Sequence, residues 1–195
     1  MIKMAIFASG SGSNFRAIVE ACRNGSLEAV PTLLVCDKQD AKVVERANEE
    51  NIPTFVFSPK EYESKVAFEN AILHELRAHN IEWIVLAGYM RLIGATLLSA
   101  YPKKIVNVHP SLLPDFPGLD AVGQALKEGV GKTGVTIHFV DEGMDTGPII
   151  AQGEVEILPF DTRETLQQRI QQLEHELYPK TLQNILHTER SLTKR

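Results

Sequence analysis

The sequence has too few cysteines for a disulfide scaffold and no apolar run long enough to cross a membrane. Its two cysteines, Cys22 and Cys36, lie inside apolar patterns without the spacing of metal ligands, so we expect buried, reduced thiols. No segment approaches the roughly 20 apolar residues of a membrane span. The N-terminus also lacks the long apolar stretch and the cleavage site of a signal peptide. These absences predict a soluble, cytoplasmic protein.

An excess of positive charge is absent as well. The formal net charge is -5, which gives no support to nucleic-acid binding. Anionic small molecules remain compatible with this charge, because helix N-termini and single Lys or Arg residues bind phosphate locally. Linkers, repeats and low-complexity segments are missing too, and 195 residues suit one well-buried domain. We therefore expect a single domain over residues 1–195.

Short apolar runs alternate with amphipathic segments through the first half of the chain. The runs predict strands over residues 4–8, 32–36, 53–56, 83–87 and 105–108. The amphipathic segments predict helices over residues 14–23, 41–50 and 61–79, and a short helical turn over residues 96–100. Continuous apolar strands separated by helices are typical of a Rossmann-like α/β fold with a doubly wound, mainly parallel sheet.

The pattern changes after residue 109. A loop rich in Pro and Gly leads to a predicted helix over residues 121–128. Strands are predicted over residues 134–140 and 149–156 as a C-terminal antiparallel extension, and Val135, Ile137 and Phe139 of the first point inward. A long helix over about residues 162–187 closes the chain, with Asp161 or Thr162 as its N-cap.

Asn107 and His109 stand at the end of the predicted strand 105–108, separated by one apolar residue. A strand's period of two puts both side chains on one face, at a strand tip that can present them to a ligand. An amide that stabilises an oxyanion beside an imidazole that moves a proton is the pair that acyl-type transfer needs. Asp145 could supply a carboxylate to that imidazole, although Asp-Thr-Gly is equally ordinary turn chemistry. His138 is compatible with a plain strand residue.

Residues 8–14 form a Gly- and Ser-rich loop that follows the first strand and opens the first helix. Glycines let the backbone approach an anion, and the N–H groups at a helix start point towards it. The loop is not a P-loop, and it lacks the third glycine of a dinucleotide fingerprint. A tight strand-to-helix turn is the alternative, but the position after the first strand favours a phosphate site.

A second loop, residues 88–93, follows the predicted central strand 83–87. Taken alone, it indicates a strand exit with Arg91 in solvent. Because adjacent strand ends of an open α/β sheet share one crevice, a flat heterocycle could also lie against its apolar side chains.

Polar residues recur at three- to four-residue spacing in the last helix, at Gln171, Glu174, His175 and Tyr178. A solvated polar face is the commoner explanation of such a pattern. The alternative is that Gln171 and Glu174 bind sugar hydroxyls.

Taken together, four segments resemble the folate-dependent formyltransferases, in particular the phosphoribosylglycinamide formyltransferases of purine biosynthesis. The segments are Ala-Ser-Gly-Ser-Gly-Ser-Asn, Leu-Ala-Gly-Tyr-Met-Arg, Asn-Val-His-Pro-Ser-Leu-Leu-Pro and the Asp-rich loop of residues 141–145. The match runs in order from Met4 to about Tyr178. The resemblance implies transfer of the formyl group of 10-formyltetrahydrofolate to the primary amine of N1-(5-phosphoribosyl)glycinamide.

The resemblance also implies roles for particular residues. The catalytic residues would be Asn107, His109 and Asp145. The ribonucleotide would be bound by Gly12, Ser13, Asn14, Gln171, Gln172, Leu173 and Glu174. The folate would be bound by Lys65, Met90, Arg91, Leu92, Ile93, Asn107, Asp141, Glu142, Gly143, Met144 and Asp145.

By the same resemblance, the ribonucleotide phosphate would bind in residues 1–100, with catalysis and folate binding in residues 85–160 and the terminal helix at 162–187. The substrates would be small molecules and the co-substrate formylated folate, with no metal, nucleic acid or membrane involved. The protein would be a monomer or a weak homodimer. Two positions depart from the family pattern: Lys65 replaces an Arg found in some members, and Asp120 replaces a His found in many.

Three other functions fit parts of this pattern. A 10-formyltetrahydrofolate hydrolase would use the same trio with water as the nucleophile, but such relatives carry an extra N-terminal domain, and Met4 already begins the first strand. A formyltransferase acting on aminoacyl-tRNA would carry a C-terminal RNA-binding domain. A non-catalytic folate- or nucleotide-binding module has no need for Asn107, His109 and Asp145 together, which favours the enzyme.

Overall fold

A seven-stranded sheet runs through residues 1–193, the part of the chain that the computed structural model describes. Its strands are β1 (Ile2–Ala8), β2 (Ala29–Cys36), β3 (Thr54–Val56), β4 (Trp83–Leu86), β5 (Ile105–His109), β6 (Lys132–Phe139) and β7 (Ile149–Glu156). The spatial order is β3-β2-β1-β4-β5-β6-β7. Strands β1 to β5 pair in parallel, whereas β6 and β7 are antiparallel to their neighbours. The predicted α/β fold with an antiparallel extension is confirmed.

Helices cover both faces of the sheet. They are α1 (Ser13–Arg23), α2 (Lys42–Glu49), α3 (Lys65–Ala78), α4 (Ala95–Ala100), α5 (Ala121–Glu128) and α6 (Arg163–Thr193). Met4 and Ile6 of β1 pack in a cluster with residues of α1, α2 and α6, whereas Ala5 and Phe7 pack with residues of α3 and α4. Burial on both faces explains why the parallel strands are continuous apolar runs in the sequence.

The predicted helix over residues 61–79 is shorter in the structure. A short 3-10 helix spans Pro59–Glu61, and α3 begins only at Lys65. The Ser64 side chain caps α3 by accepting a hydrogen bond from the Ala67 N–H at 3.1 Å. Because this cap satisfies a donor of the first turn, it fixes the helix start at this point.

The terminal helix starts as predicted but continues beyond residue 187. Thr162 precedes α6, and its hydroxyl accepts a hydrogen bond from the Thr165 N–H at 3.3 Å. Near the other end, Glu189 accepts a 2.6 Å hydrogen bond from the Trp83 indole and pairs with Lys104 at 2.9 Å. These long-range contacts hold the last turns against the sheet, which the local sequence does not reveal.

Candidate active site

A cavity of about 480 Å³ opens at the carboxyl ends of β1, β4 and β5. Strands β1 and β4 are neighbours in the sheet, but the chain continues from β1 to β2 on one side and from β4 to β5 on the other. The loops that follow β1 and β4 therefore diverge. This reversal of strand order creates the crevice in which open α/β sheets bind ligands. Helix α6 and the loops after β5 and β6 form the remaining walls.

Asn107 and His109 lie on the same face of β5, and both line the cavity. Asp145, from the loop between β6 and β7, lies beside them. Its Oδ2 atom is 3.4 Å from Nδ1 of His109, and the His109 side chain is buried. The fold thus brings together an amide, an imidazole and a carboxylate at the floor of one cavity.

The two ring nitrogens of His109 face different groups. Nε2 lies 2.8 Å from the carbonyl oxygen of Phe116. A carbonyl oxygen only accepts hydrogen bonds, so Nε2 carries a proton and donates it there. Nδ1 faces Asp145, which stabilises the ring when Nδ1 is protonated as well. The ring is thus held between a backbone carbonyl and a carboxylate.

His138 belongs to the same network, although the sequence indicated only a strand residue. It stands directly opposite Asn107 in the antiparallel pair of β5 and β6. Nδ1 of His138 donates to the carbonyl oxygen of Phe139 at 2.9 Å, so Nε2 can accept a hydrogen bond from the Asn107 amide at 3.1 Å. The amide is thereby oriented, and its second N–H remains for another acceptor.

Asp145 is held by its backbone conformation and by hydrogen bonds. It has a φ of 55°, in the left-handed region that Asp and Asn tolerate better than most residues. Its Oδ2 atom accepts a hydrogen bond from the Gly118 N–H at 2.8 Å, and its Oδ1 atom lies 3.6 Å from His138 Nε2. Burial alone would raise the pKa of Asp145, but His138, the Gly118 N–H and His109 together lower it below its usual value. The carboxylate is therefore ionised at neutral pH.

The Gly- and Ser-rich loop leads directly into α1, as predicted. Gly12 has a φ of 75°, and a side-chain Cβ there would lie 2.6 Å from Cγ2 of Val43. Only glycine fits this left-handed and crowded position. Gly12, Ser13 and Asn14 line the cavity with the N-terminus of α1, where backbone N–H groups favour an anion.

Glu174 of α6 lies next to this loop. The Asn14 side-chain amide donates a hydrogen bond to Glu174 Oε2 at 2.8 Å, and both side chains are buried. Burial raises the pKa of Glu174 to about 7, although the Asn14 hydrogen bond opposes the shift. Oδ1 of Asn14 is buried with no hydrogen-bond partner among the described residues. The polar side of α6 is therefore part of the cavity wall and not simply a solvated face.

The mouth of the cavity carries unusually exposed apolar side chains. Met90 and Leu92 follow β4 and are 58% and 50% exposed, and Leu119 and Met144, from the loops after β5 and β6, line the same cavity with 75% and 50% exposure. An apolar rim over a polar floor suits a flat heterocycle with polar substituents.

Arg91 also lines the cavity, with an interaction that the sequence did not reveal. Its Nε atom donates to Asp37 Oδ2 at 2.7 Å, and the Asp37 side chain is almost fully buried. This buried carboxylate follows β2, so it fixes Arg91 across the end of β1.

Several predicted site residues lie outside the cavity lining. Lys65 starts α3, where its Nζ atom is 4.0 Å from Glu69. The others are Gln172, Leu173, Asp141 and Glu142. Gln172 is exposed and Leu173 packs against the core, because their positions turn them away from the face that presents Gln171 and Glu174. Asp141 accepts hydrogen bonds from its own loop.

Three further observations concern the described part of the chain as a whole. Cys22 is half-buried and Cys36 buried, and both are free thiols, as predicted. In residues 1–193, no helix is long and apolar enough to span a membrane, and no group of three His, Cys, Asp or Glu side chains is arranged to hold a metal ion.

Comparison with known proteins identifies the class to which this fold and site belong. Residues 2–182 match the family model described as formyl transferase. The chain therefore belongs to the formyl transferase family, and the resemblance found in the sequence is confirmed.

Within that family, the chain is similar to the phosphoribosylglycinamide formyltransferases. It is 60% identical over 186 residues to the phosphoribosylglycinamide formyltransferase of Bacillus subtilis, covering 95% of each chain. The structure of glycinamide ribonucleotide transformylase 1 from Geobacillus kaustophilus matches with a TM-score of 0.93 and 63% identity, covering 95% of this chain and 99% of the other. The trifunctional purine biosynthetic protein adenosine-3 of Drosophila melanogaster is 39% identical over 182 residues, which are 92% of this chain and 14% of that protein.

Proposed function

We propose that the protein transfers the formyl group of 10-formyltetrahydrofolate to the primary amine of N1-(5-phosphoribosyl)glycinamide, a step of purine biosynthesis. Similarity to phosphoribosylglycinamide formyltransferases over nearly the whole chain supports the reaction. The observation that carries the proposal for the site is the contact of His109 with Asp145 at 3.4 Å, beside Asn107 and on the cavity floor.

The reaction forms one bond and breaks another. The ribonucleotide amine attacks the formyl carbon, giving a tetrahedral intermediate with a negatively charged oxygen. The bond from that carbon to N10 of the folate then breaks, the attacking amine loses a proton and N10 gains one. An amine nucleophile and well-placed hydrogen-bond donors suffice for this transfer.

Asn107 and His109 would assist two parts of this reaction, the charge on the oxygen of the intermediate and the proton that N10 gains. The second N–H of the Asn107 amide and the protonated His109 ring would stabilise the oxyanion, and His109 would pass a proton to N10. Reaching the substrate requires Nε2–H of His109 to leave the carbonyl of Phe116. Asp145, ionised and adjacent, would stabilise the imidazolium and hold a proton-carrying water.

The two substrates would enter from different sides. The phosphate would bind at Gly12, Ser13 and Asn14, where the α1 N-terminus offers N–H groups. Gln171 and Glu174 would accept hydrogen bonds from the ribose hydroxyls. The pterin would lie at the apolar rim formed by Met90, Leu92 and Met144. The formyl group would then meet the amine above His109.

The test is deformylation of 10-formyltetrahydrofolate, followed by absorbance, with and without glycinamide ribonucleotide. We expect deformylated folate and formylated ribonucleotide in equal amounts, and only when the ribonucleotide is present. Equal deformylation without it would show a hydrolase. No reaction in either case, with both ligands still bound, would show a binding module.

A further inference from the structure

We infer that the ion pair between Asp120 and Arg163 is a clasp that positions the catalytic residues by holding one loop segment in place. Arg163 Nη2 lies 2.6 Å from Asp120 Oδ1, and Nη1 lies 3.1 Å from Oδ2. This two-point contact joins the residue before α5 to the first residue of α6. The inference rests on the proposed function and extends it to residues outside the catalytic trio.

The segment that the clasp holds, residues 116–120, supplies backbone contacts to both catalytic side chains. The carbonyl oxygen of Phe116 accepts the hydrogen bond from His109, and the Gly118 N–H donates to Asp145. A displacement of this segment therefore changes the orientation of both members of the His109–Asp145 pair. Sub-ångström placement of such groups matters, because catalysis depends steeply on the geometry of the reacting atoms.

The segment cannot rely on favourable backbone conformation to keep its shape. Phe116, Gly118 and Asp120 have φ values of 53°, 77° and 58°, and two of these three left-handed residues are not glycine. Left-handed conformation is unfavourable for non-glycine residues, so outside contacts must maintain it. The Gln124 side chain donates to the carbonyls of Pro117 and Leu119, and the clasp fixes the end of the segment.

The other end of the clasp lies on the helix that faces the ribonucleotide loop. Arg163, Gln167, Gln171 and Glu174 follow one another at three- to four-residue spacing, and the last three line the cavity. They share one face of α6. The clasp therefore joins residues 116–120, which contact His109 and Asp145, to the face of α6 that carries the proposed ribose site. It so fixes the distance between these two sides of the cavity.

The solvent exposure of the Asp120–Arg163 ion pair distinguishes a positioning role from a contribution to folding stability. The side chains of Arg163 and Asp120 are 54% and 45% exposed. Exposed ion pairs contribute little to folding stability, because water and salt screen them. Their removal should therefore leave the fold intact and act mainly on the position of the segment.

The experiment compares Arg163→Gln, Asp120→Asn and the double variant with wild type. Asparagine can still cap α5 at position 120, where Asp120 accepts from the Gly123 N–H, so Asp120→Asn keeps the cap while it removes the charge and the second acceptor oxygen that Arg163 uses. Lys132→Gln is the matched control, because Lys132 and Glu154 form another exposed ion pair at the opposite end of β6 from His138. Arg163→Lys keeps the charge without the two-point contact, and we expect it to recover part of the loss.

We expect each single variant to lower kcat about fivefold with KM changed less, and the double variant to be no worse than either single one. In the protein without substrate, exchange of the four backbone N–H groups of residues 116 and 118–120 should rise severalfold in these variants and stay unchanged in Lys132→Gln. The inference would be wrong if hydrogen exchange and kcat stayed unchanged in the single variants. It would also be wrong if the loss of kcat in the double variant equalled the product of the two single losses. Absence of formyl transfer by the wild type would instead overturn the proposed function, while the exchange measurement would still test the clasp.

Discussion

The side-chain amide of Asn14 donates a 2.8 Å hydrogen bond to Glu174, which lies 160 residues further along the chain. The contact joins the start of α1 to the middle of α6 beneath the proposed ribonucleotide site. Both side chains are buried, and burial raises the pKa of Glu174 to about 7. The protein therefore holds a carboxyl group that changes its charge near neutral pH in the wall of the cavity.

Replacement of Glu174 by glutamine should change how stability depends on pH. The unfolded chain loses this proton near its ordinary pKa of 4.5, whereas the folded protein keeps it up to about pH 7. Between these values the folded state binds more protons, so the contribution of Glu174 to stability falls as the pH rises. We expect the free energy of unfolding of Glu174→Gln, relative to that of wild type, to rise by about 2 kcal/mol from pH 5 to pH 8. Urea unfolding at both pH values would measure it. A difference that is the same at both pH values would contradict the raised pKa.

Replacement of Asn14 by alanine should weaken ribonucleotide binding and leave folate binding almost intact. The variant loses an amide at the proposed phosphate loop and removes the hydrogen bond that lowers the pKa of Glu174. Titration calorimetry with each ligand would measure the effect, for which we expect about a tenfold loss for the ribonucleotide. Asn70→Ala, at an exposed position of α3, is the control. An equal loss of both ligands would indicate that Asn14 only maintains the turn.

The periodicity of the sequence was enough to predict the sheet, because β4 and residues 4–8 of β1 are buried on both faces and appear as unbroken apolar runs. It was less informative for β6. Val135 and Ile137 are buried as predicted, but Thr136 and His138 on the opposite face are buried too. Their environment is made by residues distant in sequence, which local alternation cannot reveal.

The candidate site was predicted only in part, because some of its contacts also join residues that are distant in sequence. Asn107 and His109 could be paired from their spacing, since both belong to one strand. The contact of Asn107 with His138 depends on the register of two antiparallel strands, and the contact of Arg91 with Asp37 depends on three strand ends meeting. Lys65, assigned to the folate by resemblance alone, lies outside the cavity lining.

Replacement of His138 by leucine should lower kcat about tenfold, because the Asn107 amide loses the acceptor that orients it. His138→Gln can still offer an oxygen to that amide and should retain more activity. Steady-state kinetics on both variants would measure the difference. His79→Gln changes the histidine that directly follows α3, outside the cavity lining, and should have no effect. Equal activities of the leucine and glutamine variants would contradict the orienting role.

Replacement of Asp145 by asparagine should lower kcat by about 10²- to 10⁴-fold while ribonucleotide binding stays nearly unchanged. Asparagine tolerates the left-handed φ of 55° and can still accept from the Gly118 N–H, so the loop should keep its shape. What disappears is the negative charge 3.4 Å from His109 Nδ1, which in the proposed mechanism pairs with the protonated ring. Kinetics combined with calorimetry for the ribonucleotide would separate the two effects. A kcat like that of wild type at every pH would remove Asp145 from the mechanism, and a parallel loss of binding would indicate a collapsed loop.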